Sequence, residues 1–156
     1  ALDAELEFKS SRETKSVLFS KFQGVSEGFI LTEIKISLGD WNVGIYKRLG
    51  PKKLLSVESA SFCFLADTTR TILSDFHIVY CGAFFLRSRE LENTLMGSRL
   101  PLTKHSIESI IADYATLFEE KILLKNDKSI KDMEEWYSFR KWQFTNLLRY
   151  SFEQLN

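Results

Sequence analysis

The chain has 156 residues, 44% of them hydrophobic and 27% charged, a globular balance that excludes disorder along most of its length. Lys and Arg total 21 and Asp and Glu total 21, so no net charge draws the chain toward nucleic acid or an anionic membrane. Two cysteines exclude a disulfide framework, and no apolar run reaches the ~20 residues that cross a bilayer. This size and composition predict one domain, residues 1–156, with reduced thiols, in a cytoplasmic compartment.

In chain order, the first stretch of interest is Glu7-Phe8-Lys9, an E-x-K triplet like that on the metal-binding strand of many nucleases. A metal there needs a second acid from a preceding strand. Too little chain precedes the triplet to supply one, so it reads as chance. "SVLFSKF" (16–22) is a weak strand candidate. "GFILTEIKISL" (28–38) alternates, with Ile30, Ile34, Ile36 and Leu38 on one parity and Glu33, Lys35 and Ser37 on the other. A period of two predicts a strand with one dry face. "WNVGIYKRL" (41–49) alternates as well, and Gly39-Asp40 between the two runs predicts an antiparallel hairpin. Gly50-Pro51 ends the second strand. Residues 54–66 and 75–87 predict two further strands.

The stretch 75–87, "DFHIVYCGAFFLR", contains His77 and Cys81 in an otherwise apolar run. On a strand, Asp75, His77, Val79 and Cys81 share a face. An Asp-His-Cys line suggests an activated nucleophile. In-line positions two apart, however, are separated by about 6.6–7 Å, too far for a relay of ~3 Å contacts. The segment therefore reads as a core strand whose histidine has a hydrogen-bond partner and whose thiol packs as a small hydrophobe. Cys63, Cys81, His77 and His105 are the only Cys and His residues, and their spacing fits no zinc site.

The period changes in the second half. Ile107, Ile110, Ile111, Tyr114, Leu117, Phe118 and Ile122 recur at helical spacing and predict a helix over about 104–124, entered through Pro101 and Thr103. Ser129 and Asp132 resemble the start of a second helix that runs over about 130–154. Its main apolar arc holds Ile130, Met133, Trp136, Tyr137, Phe144, Leu147, Leu148, Phe152 and Leu155. Phe139, Trp142 and Tyr150 fall nearly opposite, among charged residues. A solvated face does not normally carry three aromatic side chains, each worth about 1.5–3 kcal/mol when buried.

Strands followed by helices define an α+β fold: an antiparallel sheet of four to five strands over about 16–87, then two long helices packed on it. No G-x-G-x-x-G, Walker or G-x-S-x-G motif is present, and no cofactor or metal is called for. The favoured function is a non-enzymatic, protein-binding or self-assembling structural subunit that docks through Phe139, Trp142 and Tyr150. Its partner is another protein or a second copy of the chain. The alternative is nucleic-acid binding through Lys47, Arg48, Lys52 and Lys53 around a turn, joined by Arg140 and Lys141. A third reading is a small-ligand pocket or an enzyme built in the aromatic core.

Overall fold

The computed structural model describes residues 1–50, 59–124 and 134–156. They divide into two compact units, Ala1–Asp40 and Trp41–Asn156.

In the first unit, β1 (Glu5–Lys9) is the central strand of a three-stranded antiparallel sheet, flanked by β2 (Thr14–Leu18) and β3 (Ile30–Lys35). Leu6 and Phe8 alternate with Glu5, Glu7 and Lys9, so both apolar side chains share one face, where they are buried. Phe8 stacks on Phe22 at 5.6 Å. On the other face Lys35 Nζ donates to Glu7 Oε2 at 2.8 Å, and Lys9 Nζ lies 3.0 Å from Glu7 Oε1. The hydrogen bond from Lys35 holds the Glu7 carboxyl below its usual range. The E-x-K triplet is thus occupied with ion pairs inside its own sheet.

Two expectations fail here. The face carrying Ile30 and Ile34 is not dry: these side chains are 71% and 55% exposed. Nor do the runs on either side of Gly39-Asp40 form a hairpin, because β3 pairs with β1 while β4 (Val43–Leu49) pairs with β5 (Ala60–Thr69). Alternation fixes which side chains share a face but leaves the choice of partner strand to distant sequence.

The second unit contains a four-stranded antiparallel sheet in the order β4, β5, β6 (Ile72–Cys81), β7 (Phe85–Leu86). The β5–β6 hairpin turns at Arg70-Thr71, with Arg70 at φ 61°. Alternation places Ala60, Phe62, Phe64 and Ala66 of β5, and Phe76, Ile78 and Tyr80 of β6, on one buried face. Three helices follow among the described residues: α1 (Arg89–Leu95), α2 (Lys104–Leu123) and α3 (Glu134–Leu155). Thr103 caps α2, its Oγ1 accepting the Ser106 N–H at 3.1 Å. The predicted stripe of α2 delivers Ile107, Ile110, Ile111, Tyr114 and Phe118 to the core. From α3 come Tyr137, Phe144, Leu148, Phe152 and Leu155. Phe144 lies at the centre, its ring 5.4 Å from Phe118, 5.7 Å from Tyr80 and 6.0 Å from Phe62. The far end of α3 is fastened by Asn156, whose Oδ1 accepts the Leu102 N–H at 2.7 Å and whose Nδ2 donates to the Leu102 carbonyl at 3.2 Å.

The architecture is therefore α+β, antiparallel sheets followed by helices, with the strands divided between two sheets. Positions 54–58 of the expected third strand and 130–133 of the expected last helix lie outside the described residues. Among the described residues no helix is long and apolar enough to cross a membrane.

Candidate functional site

Helix α3 presents two faces of different character. With Phe144, Leu148 and Phe152 turned inward, the 100° step per residue turns Phe139, Trp142 and Tyr150 outward. Their exposures are 51%, 61% and 45%. The rings of Phe139 and Trp142 stack at 5.9 Å with 22° between planes. The three residues singled out by the sequence thus lie together on one helix, in solvent.

Trp142 separates two surface grooves. One, of about 560 Å³, runs between α2 and α3, lined by Ile122, Leu123, Tyr137 and Trp142 with Glu119 and Glu134. The other, of about 300 Å³, runs between β4 and α3, lined by Lys47, Arg48, Leu49, Trp142, Asn146 and Leu147. Among the described residues, the first includes acids on its walls and the second has basic residues and no acid.

The six basic residues of the alternative reading are placed differently from one another. Lys47 and Arg48 are exposed on β4. Lys52 and Lys53 lie outside the described residues. Arg140 is only 4% exposed: its Nη1 donates to Gln143 Oε1 at 2.7 Å, and its guanidinium lies 5.2 Å from the Trp136 ring. Lys141 is ion-paired with Glu119 of α2. Arg140 therefore does not offer its charge to solvent, and Lys141 has already spent part of its own.

At the other end of the sheet, β6 and α1 hold a charged cluster that sequence reasoning did not foresee. Glu92 of α1 is fully buried. Its Oε1 accepts the Ile78 N–H at 2.9 Å and the Arg87 Nε–H at 3.0 Å, and its Oε2 lies 3.3 Å from Arg89 Nη1. Arg89 Nη1 also lies 3.0 Å from His77 Nε2, which in turn lies 3.2 Å from Asp75 Oδ2. The Trp41 ring covers the imidazole at 4.8 Å. The expected separation of Asp75 from His77 is therefore corrected: side chains two apart on a strand lean along its axis and close the gap. Cys81 takes no part. It ends the strand, exposed, paired in register with Ser61 and Phe85, four residues or ~13 Å beyond His77. Among the described residues no three His, Cys, Asp or Glu side chains are grouped to hold a metal ion.

One signal for the cluster was present in the sequence. Glu92 falls three residues before Leu95 and so lies on the buried stripe of a short helix, with Arg89 one turn back. A carboxylate on an inward stripe requires cations beside it, and "RSRE" (87–90) supplies them.

No family model matches the chain, and no curated protein sequence matches it. Solved structures do. A carbon monoxide dehydrogenase from Hydrogenophaga pseudoflava, described as lacking the Mo-pyranopterin moiety of the molybdenum cofactor, matches with TM-score 0.67 at 15% identity, over 98% of this chain and 52% of that one. A cyanide-inactivated Cu,Mo-CO dehydrogenase matches with TM-score 0.64 at 16% identity, over 97% of this chain and 52% of that one. Quinoline 2-oxidoreductase from Pseudomonas putida 86 matches with TM-score 0.64 at 11% identity, over 99% of this chain and 54% of that one. The fold is thus one that occurs within chains of oxidoreductases. The protein spans about half the length of these structural neighbours.

Proposed function

We propose that this chain is a non-enzymatic, protein-binding part of an oxidoreductase assembly, and that it docks through the outer face of α3. The observation that carries the reading is the exposed, mutually stacked pair Phe139 and Trp142, with Tyr150 further along the same helix. Interfaces concentrate such side chains, because a rigid ring gains much on desolvation and loses little rotamer entropy. The likeness of fold to two carbon monoxide dehydrogenases and a quinoline oxidoreductase supports the setting.

The test is the mass of the protein purified under native conditions, read by light scattering across a range of concentrations. The wild type is expected to exceed the 18.1 kDa of one chain. The double substitution Phe139→Asp with Trp142→Asp is expected to return it to that mass with helical circular dichroism intact. A double variant that keeps the wild-type mass, or a wild type that never exceeds one chain, overturns the reading.

A further inference from the structure

The groove between β4 and α3 has a chemistry of its own. Strand β4 is an edge of its sheet: one side pairs with β5 and, among the described residues, no strand pairs with the other. Seven residues long, it presents a row of backbone donors and acceptors on that open side. Val43, Ile45 and Leu49 pack against the core, and Lys47 shares their parity, so its side chain emerges on the α3 side of the edge. There it meets Trp142, Asn146 and Leu147 across a cavity of about 300 Å³. Lys47 makes no ion pair among the described residues, and Arg48 stands beside it on the opposite face of the strand. Among the described residues the walls are an indole, two leucines, two amides and two basic residues, and Lys47 is the one that turns toward α3.

We infer that this groove receives an extended, acidic segment of the partner protein, added to the sheet as a further strand alongside β4. The inference rests on the docking role proposed for α3 and names the partner's chemistry. Each feature of the groove matches one feature of such a ligand. The open ladder takes an extended backbone. Lys47 takes a carboxylate. Trp142, beside Leu49 and Leu147 on that same side, takes an apolar side chain two residues further along the segment, since adjacent residues of a strand point to opposite faces. A basic segment meets only like charge among the described residues of the groove.

The probe is a short end-blocked peptide in which glutamate and valine take turns at the odd positions and serine fills the even ones, so that both face the groove, with a counterpart carrying lysine for glutamate as control. The acidic peptide is expected to bind the whole protein, to slow amide hydrogen exchange at alternate positions of 43–49, and to weaken as salt rises. Lys47→Glu is expected to weaken it at least about tenfold and to admit the lysine peptide instead. Equal binding of both peptides by the wild type overturns the inference, as does no binding at low salt or no change in exchange along β4. If Phe139→Asp with Trp142→Asp abolishes assembly while Lys47→Glu and added peptide leave it untouched, the acidic-strand inference fails and the docking role of α3 stands.

Discussion

Glu92 is the side chain on which the second unit is most exposed to damage. Fully buried, it satisfies a strand amide and two guanidinium groups at once. Removing one partner of a buried ionic cluster leaves the others desolvated and uncompensated. Glu92→Ala is expected to cost about 3 kcal/mol or more, read as a lowered urea midpoint. Tryptophan fluorescence is a clean probe, because Trp41, Trp136 and Trp142 all belong to this unit. An unchanged midpoint would show that the cluster contributes nothing net. The same region shows what a sequence conveys at this scale. The period of two correctly put His77 beside Asp75 on one face of β6, but it carried no information on side-chain lean, and the 3.2 Å contact was lost to a spacing argument. Arg140 misleads in the opposite sense. Its charge suggested a surface, while its long apolar stem and the Trp136 ring beside it accommodate it in the interior.

Among the elements, the two long helices were legible and the sheet pairing was not. The stripes of α2 and α3 depend on residues three and four apart, so a local pattern suffices, and even the outward aromatic stripe at 139, 142 and 150 was readable from the wheel. Most strand pairings join neighbours in the chain, but β3 returns past β2 to β1. β3 and β4 are neighbours in the chain yet enter different sheets. Helix α1, seven residues long, covers so few turns that Glu92 and Leu95 alone mark its buried stripe. The start of α2 is as local as its stripe. Thr103→Ala removes the oxygen that accepts the Ser106 amide and is expected to cost about 1 kcal/mol. Thr103→Ser, which keeps the acceptor, is expected to cost much less. Urea titrations of the pair, followed by circular dichroism at 222 nm, check this; equal losses in both variants would locate the effect in packing instead.

For the molecule as a whole, the aromatic core sets its response to alkali. Burial pushes the Tyr80 phenol up to about 12 from an ordinary 10.0, and burial raises Tyr114 as well. A raised phenol pKa favours the protonated folded form. Its contribution is fully present below pH 10 and is lost as pH climbs toward 12. Stability is therefore expected to decline across that interval, with tyrosinate absorbance from the core appearing only as the fold opens. Tyr80→Phe, which has no proton to lose, is expected to flatten the decline. A slope identical to wild type would remove Tyr80 from the account.

The margins of the larger sheet differ in one further respect. Along β6, the side away from β5 is occupied at several points: β7 pairs with Tyr80 and Cys81, the Glu92 carboxylate takes the Ile78 amide, and Ser98 accepts the Leu73 amide at 3.0 Å. A carboxylate has replaced the residues by which a longer β7 would have continued the ladder. Among the described residues, the long open border of this sheet is therefore β4, the opposite edge strand β7 being two residues long. If two copies ever met strand to strand through it, they would do so β4 to β4 about a twofold axis, and the contact would close on itself rather than propagate into a filament.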